Sequence, residues 1–391
     1  MEKTSITSYE DFIVNYSLYK EERLQGRYLN FDHIEKAIHE VGSAFKFYEV
    51  GKSHMGEPIH RITVGNGKIK IFAWSQMHGN ESTTTKAVFD ILKSFRIFAN
   101  EEYIESLLKE LQICFVPMLN PDGARAYTRV NSRGVDLNRD AHNREEEESK
   151  VLRKVYNEFK PHYCFNLHDQ RTIFSAGPKP LPATISFLTP AMNEERSVTP
   201  SRKASMKVIV AMNERLQEKI PGMVGRYSDA FNINCTGDTF QSLDVPTILF
   251  EAGHYYNDYE REKVREFLVQ ALITALEVIA AKKINTKSEE DYFNIPQNEK
   301  LFFDVILRRA LLKDQIVDIA IQYNEELVDN KIEFIPCIEK IEANLKFYGH
   351  KEIDCEEKEV KLSDGGEVSE NVIVHNLLLK NEVLIIKYAN N

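Results

Sequence analysis

A histidine and a glutamate stand three apart in Met77-His78-Gly79-Asn80-Glu81, where an apolar run (68–75) stops and a helix-like pattern begins. An imidazole and a carboxylate at that spacing can turn to one side and meet a single cation. Gly79 permits the tight turn between them. The same residues suit a plainer arrangement, with Glu81 as the acidic residue in the first turn of a helix and His78 as a loop histidine. The pair needs company before it means a metal.

Company comes from three further stretches that follow apolar runs. His168 ends "CFNLH", and Glu251 ends the strand-like "PTILFE". A carboxylate at the end of a buried strand costs free energy unless it is paired or used, so Glu251 is a candidate general base. The loop 120–140 carries Arg129, Arg133 and Arg139. Arginine's planar fork recognises carboxylates. The opening of that loop, Asn120-Pro121-Asp122-Gly123, reads as a turn.

Together His78, Glu81 and His168 supply two imidazoles and a carboxylate, with a fourth position open. That is the donor set of catalytic zinc, which lowers the pKa of a bound water and polarises a carbonyl. Glu251 would take the proton, and the arginines would hold an anionic substrate. His39-Glu40 has no second histidine four residues after the first, so the HExxH helix is excluded. His142, His162 and His254 are weaker candidates; His162 opens its strand and belongs to the opposite end of the sheet.

The elements that must position these residues alternate. Near-continuous apolar runs at 68–75, 111–118, 162–168 and 246–252 read as buried strands, and shorter strands are expected at 44–50 and 58–65. Helical periodicity appears at 8–42, 82–98, 101–110, 144–159, 201–219 and 258–282. The expected fold is a three-layer α/β/α sandwich on a mixed, mainly parallel sheet. Ligands in such sheets sit at the C-terminal strand ends, where all four stretches lie. We expect an N-terminal helical segment (1–43) packed on a catalytic domain (44–283), a polar linker (284–300) and a small β-rich or α+β domain (301–391).

The 391 residues are 42% hydrophobic and 28% charged, as in a water-soluble protein with a sizeable core. A formal charge of -10 and the lack of a long basic run argue against nucleic acid and acidic membranes as partners. No apolar run is long enough to span a bilayer. The start of the chain has no basic stretch followed by an apolar one, so as written it reads as cytoplasmic; a leader removed from a longer precursor stays open. Five scattered cysteines without a CxxC pair read as free thiols.

The stretches "VGKSHMGEPI", "MHGNE", "NPDG", "RVNSRGVDLNR", "FNLH" and "ILFEAG" occur in the order found in the zinc carboxypeptidases, the carboxypeptidase A-like metallopeptidases, and the chain resembles that family over roughly 44–282. "MHGNE" is most similar to the regulatory and bacterial branches. The resemblance implies one Zn2+ held by His78, Glu81 and His168, with Asp136 bonded to the far nitrogen of His78. It implies that Arg129 stabilises the oxyanion and that Asn138 and Arg139 grip the substrate's C-terminal carboxylate. Glu251 would activate water and then protonate the leaving amine. Tyr227 falls where the family has a mobile tyrosine, and Asp238 lies in "NCTGDTF", the stretch expected to line the specificity pocket. Asp238 would attract a basic side chain, although a Gly-Asp turn accounts for it equally well. Asp169-Gln170 after the third ligand departs from the family pattern and leaves the far groove open.

The expected function is therefore a zinc metallocarboxypeptidase acting on peptides with a free C-terminal carboxylate, protein-derived or from cell walls. Two rivals stand beside it: an aspartoacylase-like deacylase of N-acyl amino acids, and a binding module of the same fold without catalysis. The preferred side chain, the oligomeric state and the role of 301–391 stay open.

Overall fold

The computed structural model describes residues 5–42, 44–374, 376–380, 382–384 and 386. Its central sheet is built from β1 (Lys46–Lys52), β2 (Pro58–Val64), β3 (Ile69–Trp74), β4 (Leu111–Val116), β5 (Tyr163–Asp169), β7 (Ile185–Leu188), β8 (Val224–Arg226) and β9 (Thr247–Ala252); β6 (Phe174–Ala176) lies outside it. The strand order is β1-β2-β4-β3-β5-β9-β7-β8. The inner neighbours β4, β3, β5 and β9 run parallel, and antiparallel pairs flank them. Residues along each inner strand alternate between two cores. Ile71 and Ala73 enter one, Phe72 and Trp74 the other.

The helices are α1 (Tyr9–Val14), α2 (Tyr16–Tyr19), α3 (Phe31–Gly42), α4 (Thr83–Ile97), α5 (Glu102–Glu110), α6 (Pro121–Ala126), α7 (Glu147–Phe159), α8 (Pro200–Gln217), α9 (Thr236–Ser242) and α10 (Glu262–Ala280). The larger core joins one face of the sheet to α3, α4, α5, α8 and α10. The smaller joins the other face to α7 and α9 through Val151, Leu152, Val155 and Phe240. This is the three-layer sandwich expected.

The N-terminal segment is three helices rather than one continuous run, and Phe12, Tyr19 and Ile34 enter the larger core. Arg265 of α10 and Asp90 of α4, both fully buried, pair at 2.5 Å. Arg265 also donates to the carbonyls of Glu21 and Leu24, which fixes the loop after α2.

The stretch expected as a linker is folded. Short 3-10 turns occupy Lys283–Thr286 and Glu290–Asn294, and Tyr292 and Ile295 enter the larger core. β10 (Asn298–Lys300) then pairs antiparallel with β6. Polar composition had concealed two apolar anchors.

Beyond it, β11 (Phe302–Leu312), β12 (Gln315–Val328), β13 (Lys331–Glu342) and β14 (Tyr348–Asp354) form one sheet in the order β13-β12-β11-β14. β15 (Val360–Leu362), β16 (Leu377–Leu379) and β17 (Glu382–Leu384) form another. Their separate core includes Val305, Ile319, Ile321 and Ile338. Among the described residues this region holds strands and no helix. Of the expected strand 382–388, positions 385, 387 and 388 lie outside the described residues.

Candidate metal centre and active site

His78 sits past the end of β3, in a bend set by Gln76, whose φ of +48° is left-handed. The Gln76 side chain holds that bend, donating to the carbonyls of Leu29 at 2.6 Å and Gly79 at 2.9 Å. Gly79 is required by a close approach: a Cβ there would lie 1.9 Å from the backbone carbon of Gly123. Asn120-Pro121-Asp122-Gly123 is thus not a free turn but the start of α6, with Asn120 as N-cap and Pro121 in the first turn. Turn and helix start use the same residue types, which is why the sequence misleads here. Asn120 Nδ2 also donates to the Met77 carbonyl, bracing the ligand loop. Asp122 accepts from Ser53 and Ser132, tying the "GKSHMGEP" turn and the arginine loop to α6.

Glu81 is not in the first turn of α4 but two residues before it. The helix-start carboxylate is Asp169, at the end of β5, which accepts from the N–H groups of Thr83 (3.0 Å) and Thr84 (3.3 Å). Glu81 is thereby free for the cluster. Its Oε1 lies 2.7 Å from His78 Nδ1, and its Oε2 lies 2.8 Å from His168 Nδ1. The two Nδ1 atoms are 3.1 Å apart. One donor atom from each of the three residues falls within 4.8 Å of the others, and all three residues are buried.

The far nitrogen of His78 lies 3.0 Å from Asp136 Oδ1. That bond points Nδ1 at the cluster. Arg129 bridges Asp136 (3.1 Å) and Glu81 (3.4 Å). Burial opposes charge on all these groups, but their mutual attraction outweighs it at three: Glu81 and Asp136 are held well below the usual carboxylate range and His78 is raised. Burial wins at His168 and lowers it.

Glu251 pairs in register with His168 across β9 and β5. Burial, then the neighbouring Glu81 and Asp169 charges, push its carboxyl well above the usual range. Its Oε2 is buried with no hydrogen-bond partner among the described residues.

Two imidazole nitrogens and a carboxylate crowded to hydrogen-bond distance, with an unpaired second carboxylate alongside, suit a divalent cation of the zinc type. The donor set fits that metal.

These groups line one cavity of about 730 Å3. On one side stand Asn138, Arg139, Cys235 and Asp238. Asn138 Oδ1 accepts from Thr236 N–H (2.9 Å), and Arg139 donates to the Asn138 carbonyl and reaches Cys235 Sγ at 3.2 Å. Asp238 belongs to α9, not to an isolated Gly-Asp turn, and burial pushes its carboxyl up to about 7. Tyr227 lines the cavity directly after β8, half-buried, with its ring edge-on to Phe174 at 5.4 Å. Arg133 is not brought to the cavity; it lies on the surface, 3.6 Å from the buried carboxylate of Glu146. His162 caps the far end of the sheet through Lys70 N–H, as expected.

Several lining residues escaped the sequence reading. Asn166 lies two before His168 on the same face of β5, so period-two alternation would have found it. Arg27 and Tyr323, Asn324 and Glu325 of β12 also line the cavity, and no local pattern marks them.

Residues 32–176, which hold all three candidate ligands, match the family described as zinc carboxypeptidase. Among curated proteins, the probable carboxypeptidase 2 of Arthroderma benhamiae is 25% identical over 112 residues, 29% of this chain and 21% of that protein. The gamma-D-glutamyl-L-diamino acid endopeptidase 1 of Lysinibacillus sphaericus is 29% identical over 112 residues, 26% of this chain and 28% of that protein. The chain therefore spans only 21% and 28% of these relatives' length. A metallo-carboxypeptidase of Burkholderia cenocepacia superposes with a TM-score of 0.52 at 17% identity, over 64% of this chain and 69% of that one, a likeness of fold.

Proposed function

We propose that the protein is a zinc metallocarboxypeptidase that hydrolyses the C-terminal amide bond of peptides. The observation that carries this reading is the convergence of His78, Glu81 and His168 beside the unpaired Glu251 carboxylate, in a cavity whose flank presents Asn138 and Arg139. Zinc held by the three ligands would supply Lewis-acid polarisation of the carbonyl and a water of lowered pKa. Asn138 and Arg139 take the terminal carboxylate and so fix which bond is presented. Arg129, held at the mouth by Asp136, faces the oxygen on which charge develops. Glu251 takes the proton of the attacking water and returns it to the leaving amine. Tyr227 closes over the substrate's terminal residue, and Asp238 favours a side chain bearing an amine. The names of the relatives support peptide hydrolysis, and the Lysinibacillus enzyme's name supports peptides in which a glutamyl residue precedes a diamino acid.

The test is hydrolysis of short peptides and of N-acyl amino acids by the zinc-loaded protein and by Glu251→Gln. Peptide turnover that falls by about 10²–10⁴-fold in the variant, with zinc content kept, is the expected result. Turnover of N-acyl amino acids alone would assign the deacylase reading instead. Near-normal activity in the variant would remove Glu251 from its role.

A further inference from the structure

Asn138 meets the start of α9, on the smaller-core face of the sheet, whereas other lining residues stand beside α4 and α10, on the larger-core face, and come from segments outside the matched residues 32–176. Arg27 comes from the loop before α3, Arg261 from the residue that precedes α10, and Glu325 from β12 of the C-terminal sheet. They are locked together. Arg27 Nη2 donates to Glu325 at 3.0 Å, and the Tyr127 hydroxyl donates to the same oxygen. Arg261 donates to the carbonyls of Gln170, at 2.6 Å, and Ala252. The wall is thus braced from three parts of the chain.

The wall is also cationic. Arg27 and Arg261 are 4% and 1% exposed, and the Nε of each is buried without a partner among the described residues. The nearby carboxylates are already engaged: Glu325 by Arg27 and Tyr127, Asp169 by the start of α4. Arg171, exposed at the rim of the same wall, forms no hydrogen bond or ion pair among the described residues. Arg27 already has Glu325, whereas the side chain of Arg261 donates to carbonyls and Arg171 stands free at the mouth, so two guanidiniums of the wall have no carboxylate bonded to them among the described residues.

We propose that this wall ends the acyl side of the substrate site and selects short peptides whose residue before the cleaved bond carries a free carboxylate. Arg171 takes that carboxylate, with Arg27 and Arg261 behind it. The inference rests on the carboxypeptidase reading, because a terminal carboxylate held at Asn138 and Arg139 directs the acyl part toward this wall.

The test uses the zinc-loaded full chain and peptides sharing one C-terminal residue. The residue before it is Glu or Gln, with none, one or three further residues upstream. A kcat/KM preference for Glu over Gln of about 10-fold or more is expected, the scale of a charge-assisted hydrogen bond. A comparable loss is expected on adding three upstream residues. Arg171→Ala should bring the Glu/Gln ratio to within about twofold of unity, since the contact made only by the charged residue is gone. Hydrolysis that ignores both charge and length, or a preference that survives in Arg171→Ala, overturns the inference and leaves the carboxypeptidase reading standing. No hydrolysis of any peptide in the series overturns both.

Discussion

The backbone N–H of Asp169 donates to Glu81 Oε2 at 3.1 Å, while the Asp169 carboxylate holds the first N–H groups of α4. One residue at the end of β5 thus fixes both the candidate ligand and the helix that follows it. Asp169→Ala keeps the backbone bond but frees the helix start. We expect zinc affinity to fall by about 10–100-fold, as for other groups that orient ligands. Titration with a competing chelator measures this, and unchanged affinity would mean that the loop holds Glu81 unaided.

Removing the metal should cost stability as well as activity. The three ligands crowd at hydrogen-bond distance with both histidines buried, so a cation that binds only the folded chain stabilises it. At a zinc concentration 1,000 times Kd the gain is about 4 kcal/mol. Thermal unfolding with and without chelator should show the shift, and its absence in His168→Ala would locate the metal.

Arg139→Ala should raise KM for peptides far more than it lowers stability, because the guanidinium is exposed and bonds to one carbonyl and one thiol. A loss of about 10²-fold in kcat/KM is expected for a carboxylate contact, read from steady-state kinetics with a peptide and its C-terminal amide. The amide should lose little.

Arg265→Ala should be the most damaging of these changes to the fold. It strands the fully buried Asp90 carboxylate and releases the carbonyls of Glu21 and Leu24. A cost of about 3–5 kcal/mol in chemical denaturation is expected. The loop bearing Arg27 would loosen with it, so any surviving activity should lose discrimination on the acyl side.

The contact between the C-terminal sheet and the catalytic unit should weaken in acid. His350 of β14 bonds to the Thr172 carbonyl at 2.8 Å and lies 4.1 Å, ring to ring, from the buried His254. Burial pushes His350 down to about 4 and His254 well below its ordinary value. Folded-state values below the unfolded one mean stability that is present above about pH 6.5 and lost as pH falls toward 4. Denaturant unfolding at pH 7 and 4.5 should show that His350→Gln lessens the acid loss, and equal slopes in both proteins would contradict it.

Much of the site was legible because its parts are local or strand-borne. The inner strands read as continuous apolar runs since both faces are covered. His78 and Glu81 share one bend, and His168 and Glu251 end adjacent parallel strands. What escaped depends on contacts that no window of sequence contains. The Asp169 cap reaches back 86 residues, and Arg27 meets Glu325 across 298. Asp238 reads as a turn locally, yet α9 begins where Thr236 N–H finds Asn138, 98 residues earlier. The polar stretch after α10 looks like a tether because its apolar anchors, Tyr292 and Ile295 among them, are few and scattered.

That stretch changes what counts as the smallest intact unit around the candidate site. β10 zips onto β6, and Asn298 of β10 donates to Gln170 and Ser186 beside the Tyr227 that lines the cavity. A chain cut at the change in composition near 284 would retain every candidate zinc ligand and Glu251, yet would leave an exposed edge at β6 and unsupported amides behind the site. The candidate site and the β-rich region are therefore not separable cargo on one string: a cut after β10 would in turn remove Glu325 from Arg27 and from the cavity wall.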